Sequence, residues 1–332
     1  MQKNKKRKPL ALSEKFVETV VLLGFGVLIV VFLYMNYWYE SLFRWQDQQE
    51  QLEQKVLSVE SDIKKKQILG YELVWNDEFD GDSLDKTKWS YHYGIGFQRE
   101  LNGWSDYKLE YNTDREENVR VEDGKLILTA IKEKTPYEEM EYTSGCIKTM
   151  SENNGPLFST TYGRIEARIK MPGGEGLWSA FWMRPEDESI YGELEKPAEI
   201  DIAESIDGSA KMATGLMRYG NGEHKFFEGV QYFFPDDKNR MDFHIYALEW
   251  TPDEIKWYVD NRCFQVVDSW EDEADVDPLD FVKPAPFDVP FYIVLNLGVV
   301  DAFDRKVDFT YTEFPAEMEV DYVRVYQKKD GY

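Results

Sequence analysis

Cysteine and histidine are scarce in this chain, and each shortage excludes something. Two cysteines, Cys146 and Cys263, are too few for a disulfide framework. They stand at no metal-ligand spacing to each other or to the three histidines, which removes the usual zinc patterns. We read them as two unrelated buried thiols rather than a bridge. Basic stretches are also missing from the large downstream part, and the formal net charge is −24. Steered binding to DNA, RNA or a sulfated polymer requires a basic stripe. No nucleic-acid partner is therefore expected, whereas a neutral glycan is compatible with an acidic surface. Internal repeats are absent, and so is any long amphipathic helix after residue 70.

Aromatic rings are abundant: 10 Trp, 21 Tyr and 20 Phe. A β-rich core uses such residues, and a carbohydrate cleft uses flat rings against the apolar faces of sugars. Composition does not divide the two uses.

The first seventy residues differ from the rest. Lys3, Lys5, Lys6, Arg7 and Lys8 form a basic tail within residues 1–15. Residues 19–39 carry no charge, and a run of about 20 apolar residues matches a bilayer core. We expect a transmembrane anchor over 16–39, with its N-terminus cytoplasmic and the remainder extracytoplasmic. Tyr34, Tyr37, Trp38 and Tyr39 read as an interfacial belt and favour an uncleaved signal-anchor over a cleaved leader. Residues 40–70 read as a helical stalk, in which Leu52, Val56, Val59 and Ile63 make a short heptad seam offering a weak dimer contact.

From residue 71 to 328 the pattern is that of one all-β domain. Runs such as Gly163-Arg164-Ile165-Glu166-Ala167-Arg168-Ile169-Lys170 alternate at period two, as half-exposed strands do. Similar runs start at Lys125, His244, Ile255, Phe291 and Val320, and Asp260-Asn261 reads as a hairpin turn. Many short strands between turn signals predict a sandwich or jelly roll.

The most informative segment is Ala198-Glu199-Ile200-Asp201-Ile202-Ala203-Glu204. On a strand, Glu199 and Asp201 share one face while Ile200 and Ile202 enter the core. Glu204 would fall on the core side, but one extra residue in a β-bulge near Ala203 returns it to the face of the other two. Either this is a solvated acidic edge, or it is built for chemistry. Retaining glycosidases place two carboxyl groups about 5–5.5 Å apart, one to attack and one to donate a proton. Close like charges push the two pKa values apart.

Glu-Ile-Asp-Ile-Ala-Glu resembles the signature of glycoside hydrolase family 16, in its bulged, laminarinase-like branch. The blocks Val74-Trp75-Asn76-Asp77-Glu78-Phe79, Gly163-Arg164-Ile165-Glu166-Ala167-Arg168, Gly176-Leu177-Trp178-Ser179-Ala180-Phe181-Trp182-Met183 and Val320-Asp321-Tyr322-Val323-Arg324-Val325-Tyr326 follow in family order. The resemblance implies a concanavalin-like jelly roll with an open glycan cleft. It further implies Glu199 as nucleophile, Asp201 as its helper and Glu204 as general acid/base. Trp178, Trp182 and Trp104 would contact sugar. No cofactor is implied for catalysis; a structural calcium ion is, with Asp321 and backbone oxygens near Glu78 and Gly124 as ligands. The activity implied is retaining endo-hydrolysis of β-1,3- or β-1,3-1,4-glucan. A membrane-anchored transglycosylase, a non-catalytic glycan-binding module, or cleavage of agar or carrageenan are the alternatives.

Several positions depart from the family pattern. Where laminarinases usually place a histidine, this chain has Arg218, a fixed charge that would lower a neighbouring carboxylate pKa or meet a substituted sugar. Lys108 replaces a usual Glu, residues 193–197 lack a usual Trp, and residues 299–303 replace a Gly- and Trp-containing loop. These changes touch the substrate more than the chemistry.

Overall fold

Period-two alternation produces strands throughout. The computed structural model describes residues 70–95, 109–135, 140–190, 198–205, 212–221, 224–270, 283–301 and 307–332. The expected tail, anchor and stalk up to residue 69, together with Trp104, Lys108 and 193–197, lie outside these. Among the described residues no helix is long and apolar enough to cross a membrane.

The first strands are β1 (Tyr71–Asp77), β2 (Ser90–Tyr91), β3 (Glu110–Asn112), β4 (Val119–Glu122), β5 (Lys125–Lys132), β6 (Tyr142–Ser144) and β7 (Cys146–Lys148). There follow β8 (Met150–Ser151), β9 (Gly155–Pro156), β10 (Gly163–Lys170), β11 (Leu177–Pro185), β12 (Glu199–Ser205) and β13 (Met212–Asn221). The last are β14 (His224–Phe233), β15 (His244–Trp250), β16 (Ile255–Val259), β17 (Arg262–Val267), β18 (Phe291–Val299) and β19 (Ala316–Lys328). Asp260 and Asn261, both at positive φ (50° and 65°), close the β16–β17 hairpin as the Asp-Asn pair predicts.

Two large sheets result. One has ten strands and runs β17-β16-β15-β10-β19-β5-β6-β3, with β1 added beside β19 and β4 beside β5. The other has seven and runs β14-β13-β12-β11-β18-β7-β2. Residues of one parity on each strand fill the space between: Ile165, Ala167 and Ile169 from β10, Phe181 and Met183 from β11, Ile293, Leu295 and Leu297 from β18. Substituting any of these leucines or isoleucines by alanine removes several buried methylenes, at about 2–5 kcal/mol. The architecture is the all-β jelly-roll sandwich expected.

The ten-stranded sheet turns ion pairs outward, as Arg164 with Glu166 (2.9 Å) and Glu249 (3.1 Å) illustrates. The seven-stranded sheet is different. Its outer face carries a second apolar cluster of Cys146, Ala180, Trp182, Tyr292 and Val294, flanked by Met150 and Trp178. Cys146 is buried in that cluster and Cys263 is exposed on β17. The expectation of two buried thiols is corrected for Cys263, whose side chain falls on the solvent side of an edge strand.

β1 begins beside the end of β19. Tyr71 pairs with Lys328, and the Lys329 N–H donates to the Gly70 carbonyl at 3.0 Å.

Candidate active site

Strand β12 supplies the acids, and its irregularity decides where they point. Against β11, Ala203 pairs with Phe181 and Asp201 with Trp182, so Ile202 has no partner. Against β13, Asp201 pairs with Leu216 and Glu204 with Thr214, so Ile202 and Ala203 together face the single Gly215. This is a β-bulge, placed where alternation alone would have buried Glu204 in the core. Ile200, Ile202 and Ala203 all enter the core. Glu199, Asp201 and Glu204 are left together on the outer face.

The neighbouring strands complete that face. Glu199 lies opposite Arg218 of β13, and Arg218 donates to Glu199 Oε1 from both Nε (2.7 Å) and Nη2 (2.6 Å). On β11, Trp178 and Trp182 share the face, as their spacing predicts. Trp182 is held from below: its indole N–H donates to Asn296 Oδ1 of β18 at 2.8 Å. Tyr292 and Lys148 continue the floor on β18 and β7, and Lys148 reaches Glu152 at 3.2 Å. Trp104 lies outside the described residues.

Burial and crowding set the protonation. Burial pushes the Asp201 carboxyl well above the usual range, Glu199 and Glu204 push it further, and Arg218 opposes them. Asp201 in its protonated form donates to Glu199. Glu204 is raised to about 7, first by burial and then by Glu199, while the Trp178 indole N–H and Arg218 act in the other direction. One carboxylate therefore faces a guanidinium, and another keeps its proton towards neutral pH. That is the division of roles that proton donation with nucleophilic attack needs.

One support comes from the opposite sheet. Trp257 of β16, wholly buried, donates its indole N–H to the Asp201 carbonyl at 2.8 Å. It anchors the backbone of β12 at its middle acid. Sequence reasoning missed Trp257, Asn296, Tyr292 and Lys148. The even positions of β18 were available from its alternation, since Tyr292, Val294 and Asn296 face away from Ile293, Leu295 and Leu297. No sequence pattern indicates the Trp257 contact, because it depends on how the two sheets stack.

Two of the side chains at the expected cation site make ion pairs. The Asp321 carboxylate accepts from Arg168 at 2.9 Å, and Glu78 accepts two hydrogen bonds from Arg324, each 2.7 Å. Among the described residues, no group of three or more His, Cys, Asp or Glu is arranged to hold a metal. A cavity of about 320 Å³ at the end of β1, lined by Asn76, Asp77, Glu78, Asp85 and Lys88, is separate from the three acids. Its Asp77 is committed to the Trp89 indole at 2.8 Å.

Comparison with known proteins gives a consistent result. Residues 106–318 match the model of glycosyl hydrolases family 16. The glucan endo-1,3-beta-glucosidase A1 of Niallia circulans is 36% identical over 272 residues, covering 79% of this chain and 39% of that protein. The beta-glucanase of Rhodothermus marinus is 38% identical over 261 residues, covering 77% of this chain and 85% of that one. Among solved structures, the catalytic domain of an endo-1,3-beta-glucanase (laminarinase) from Thermotoga petrophila superposes with a TM-score of 0.64 at 32% identity, covering 78% of this chain and 98% of its own.

Proposed function

From the premise that this chain belongs to glycosyl hydrolase family 16, we propose that it is a retaining endo-β-1,3-glucanase working from the outer face of the seven-stranded sheet. One observation carries the reading: a bulge gathers three carboxylates, one paired with a fixed cation and one raised to about 7. Glu199 attacks the anomeric carbon while Glu204 delivers its proton to the departing glycosidic oxygen. Water then displaces Glu199, and Glu204 takes back a proton. Asp201 orients Glu199 throughout. Trp178 and Trp182 offer ring faces for sugar, and the relatives described as glucanases favour β-1,3-linked glucan over other polymers. The charge pattern of residues 1–39 supports a tethered, extracytoplasmic enzyme. A pure binding module would have no use for a half-buried, protonated Glu204 whose only evident return is chemistry.

The test is product analysis on laminarin and on mixed-linkage β-glucan, with Glu199→Ala and Glu204→Gln as controls. Short oligosaccharides from the wild type, reduced by at least about 10³-fold in both variants, are expected, in line with loss of a nucleophile or acid. Unchanged turnover in either variant would falsify the assignment.

A further inference from the structure

Arg218 does more than neutralise a carboxylate, because two of its nitrogens reach the same atom. Nε and Nη2 converge on Glu199 Oε1 at 2.7 and 2.6 Å. A bidentate pair normally spreads over two oxygens. Here the cross-strand register holds the fork over one. Glu199 and Arg218 are directly opposed on β12 and β13, and both are nearly buried, with side chains 13% and 10% exposed. The guanidinium is also a permanent charge: burial alone would work against it, but Glu199, Asp201 and Glu204 together favour it. Among the described residues, the other charged or titratable groups near Glu199 are Asp201 and Glu204 of its own strand and Tyr292 of β18.

We propose that Arg218 is a positioning residue that gives the two oxygens of Glu199 different roles, Oε1 held and Oε2 attacking, and that it chiefly speeds breakdown of the glycosyl-enzyme. The inference rests on the double-displacement reading above. In the first step the Oε2–C1 bond forms, the C1–O glycosidic bond breaks, and the Glu204 proton goes to the leaving oxygen. The Glu199 ester then has Oε1 as its carbonyl oxygen, still under the guanidinium. In the second step water forms its bond to C1, Glu204 accepts the water proton, and the C1–Oε2 bond breaks. Negative charge returns to Glu199, and Arg218 is already in place to receive it at Oε1. A preorganised donor of this kind is worth most where charge develops. The second step therefore gains, and glycosyl-enzyme does not accumulate. Attack by Oε2 gains less, because a paired carboxylate is a weaker nucleophile.

The experiment compares full-length wild type with Arg218→Met and Arg218→Lys on 2,4-dinitrophenyl β-laminaribioside, whose aglycone leaves without help from Glu204. The wild type should release dinitrophenolate linearly from the first turnover. Arg218→Met should show a burst approaching one equivalent per active site, followed by a steady rate lower by on the order of 10²-fold, the usual scale for one lost preorganised donor. KM should fall with kcat, as it does when an intermediate accumulates. Arg218 also holds the Glu204 pKa down, so on laminarin the basic limb of the Arg218→Met profile should move to higher pH. Arg218→Lys keeps the charge, so its basic limb should stay in place. A steady rate reduced without a burst would overturn the proposal while leaving the glucanase reading intact, as would an unchanged rate. If Arg218→Met does not fold, the Lys variant decides: a smaller burst supports the role, and none refutes it. A wild type inactive on both laminarin and the aryl glycoside would remove the glucanase reading and the role of Arg218 with it.

Discussion

At the scale of the residue, the site is held in a state that costs stability. Glu204 is half-buried, and its pKa rises from 4.5 to about 7 on folding. A group raised in this way contributes stability that is fully present below its unfolded pKa and is lost as pH rises through the folded value. Between about pH 4.5 and 7 the fold must either keep the proton or bury a charge. Two outcomes are expected. In a pH-rate profile, kcat/KM should decline on the basic side with an apparent pKa near 7, because only protonated Glu204 can donate; a flat profile to pH 9 would contradict this. Glu204→Gln, though inactive, should melt at a higher temperature than wild type at pH 8. The gain is at most a few kcal/mol, since one pKa unit is worth about 1.4 kcal/mol. Near pH 4 the difference should vanish. Thermal melts at the two pH values check it.

At the scale of the element, one unpaired residue in β12 determines the geometry. Deleting Ala203 would remove the extra residue and restore regular alternation, leaving the second glutamate on the outer face but drawn about 3.3 Å along the strand towards Asp201. The expected result is a folded protein whose turnover falls because the spacing between the two glutamates has changed, read by activity and a denaturant melt; turnover at the wild-type level would show that the bulge is dispensable. Gly215 on β13 is a second sensitive point. A Cβ there would meet Trp257 at 2.5 Å on Cδ1 and 3.0 Å on Nε1. Gly215→Ala should therefore displace the indole that holds the Asp201 carbonyl, costing about 1–3 kcal/mol and lowering kcat several-fold. Kinetics unaltered in the folded variant would mean that the Trp257 contact is structural only. These two elements also mark how far the sequence was readable. Facing of Glu199, Asp201 and Glu204 followed from period two plus one bulge, and so did the sharing of a face by Trp178 and Trp182. β10, β15 and β16 follow the runs read from alternation residue for residue. What could not be read were contacts between strands distant in sequence. Asn296 beneath Trp182 and Trp257 beneath Asp201 depend on the order and stacking of sheets, which alternation does not encode. The Arg218 contact was half legible: its charge was plain, but its commitment to one oxygen needed the register of β12 against β13.

At the scale of the whole molecule, Gly70–Tyr332 forms a compact unit of its own. Its two sheets share one core cluster. Expression of residues 70–332 should accordingly give soluble protein with the turnover of the full-length chain on laminarin, assayed side by side. Insoluble or inactive product would mean that the preceding residues contribute to folding. The acidic charge of −24 disfavours adhesion to polyanions.

The place where the domain joins its preceding segment has a mechanical meaning. Residue 70 enters at β1, and β1 is hydrogen-bonded to β19 alone among the described strands. Because the pair is antiparallel and opens at Tyr71 and Lys328, tension on an upstream tether would load its bonds one after another rather than together. A pull on the enzyme would therefore peel a single border strand from the ten-stranded sheet. The load path ends there, and β11, β12 and β13, which carry the tryptophans, the three acids and Arg218, would feel no strain while the polymer or the surface moves.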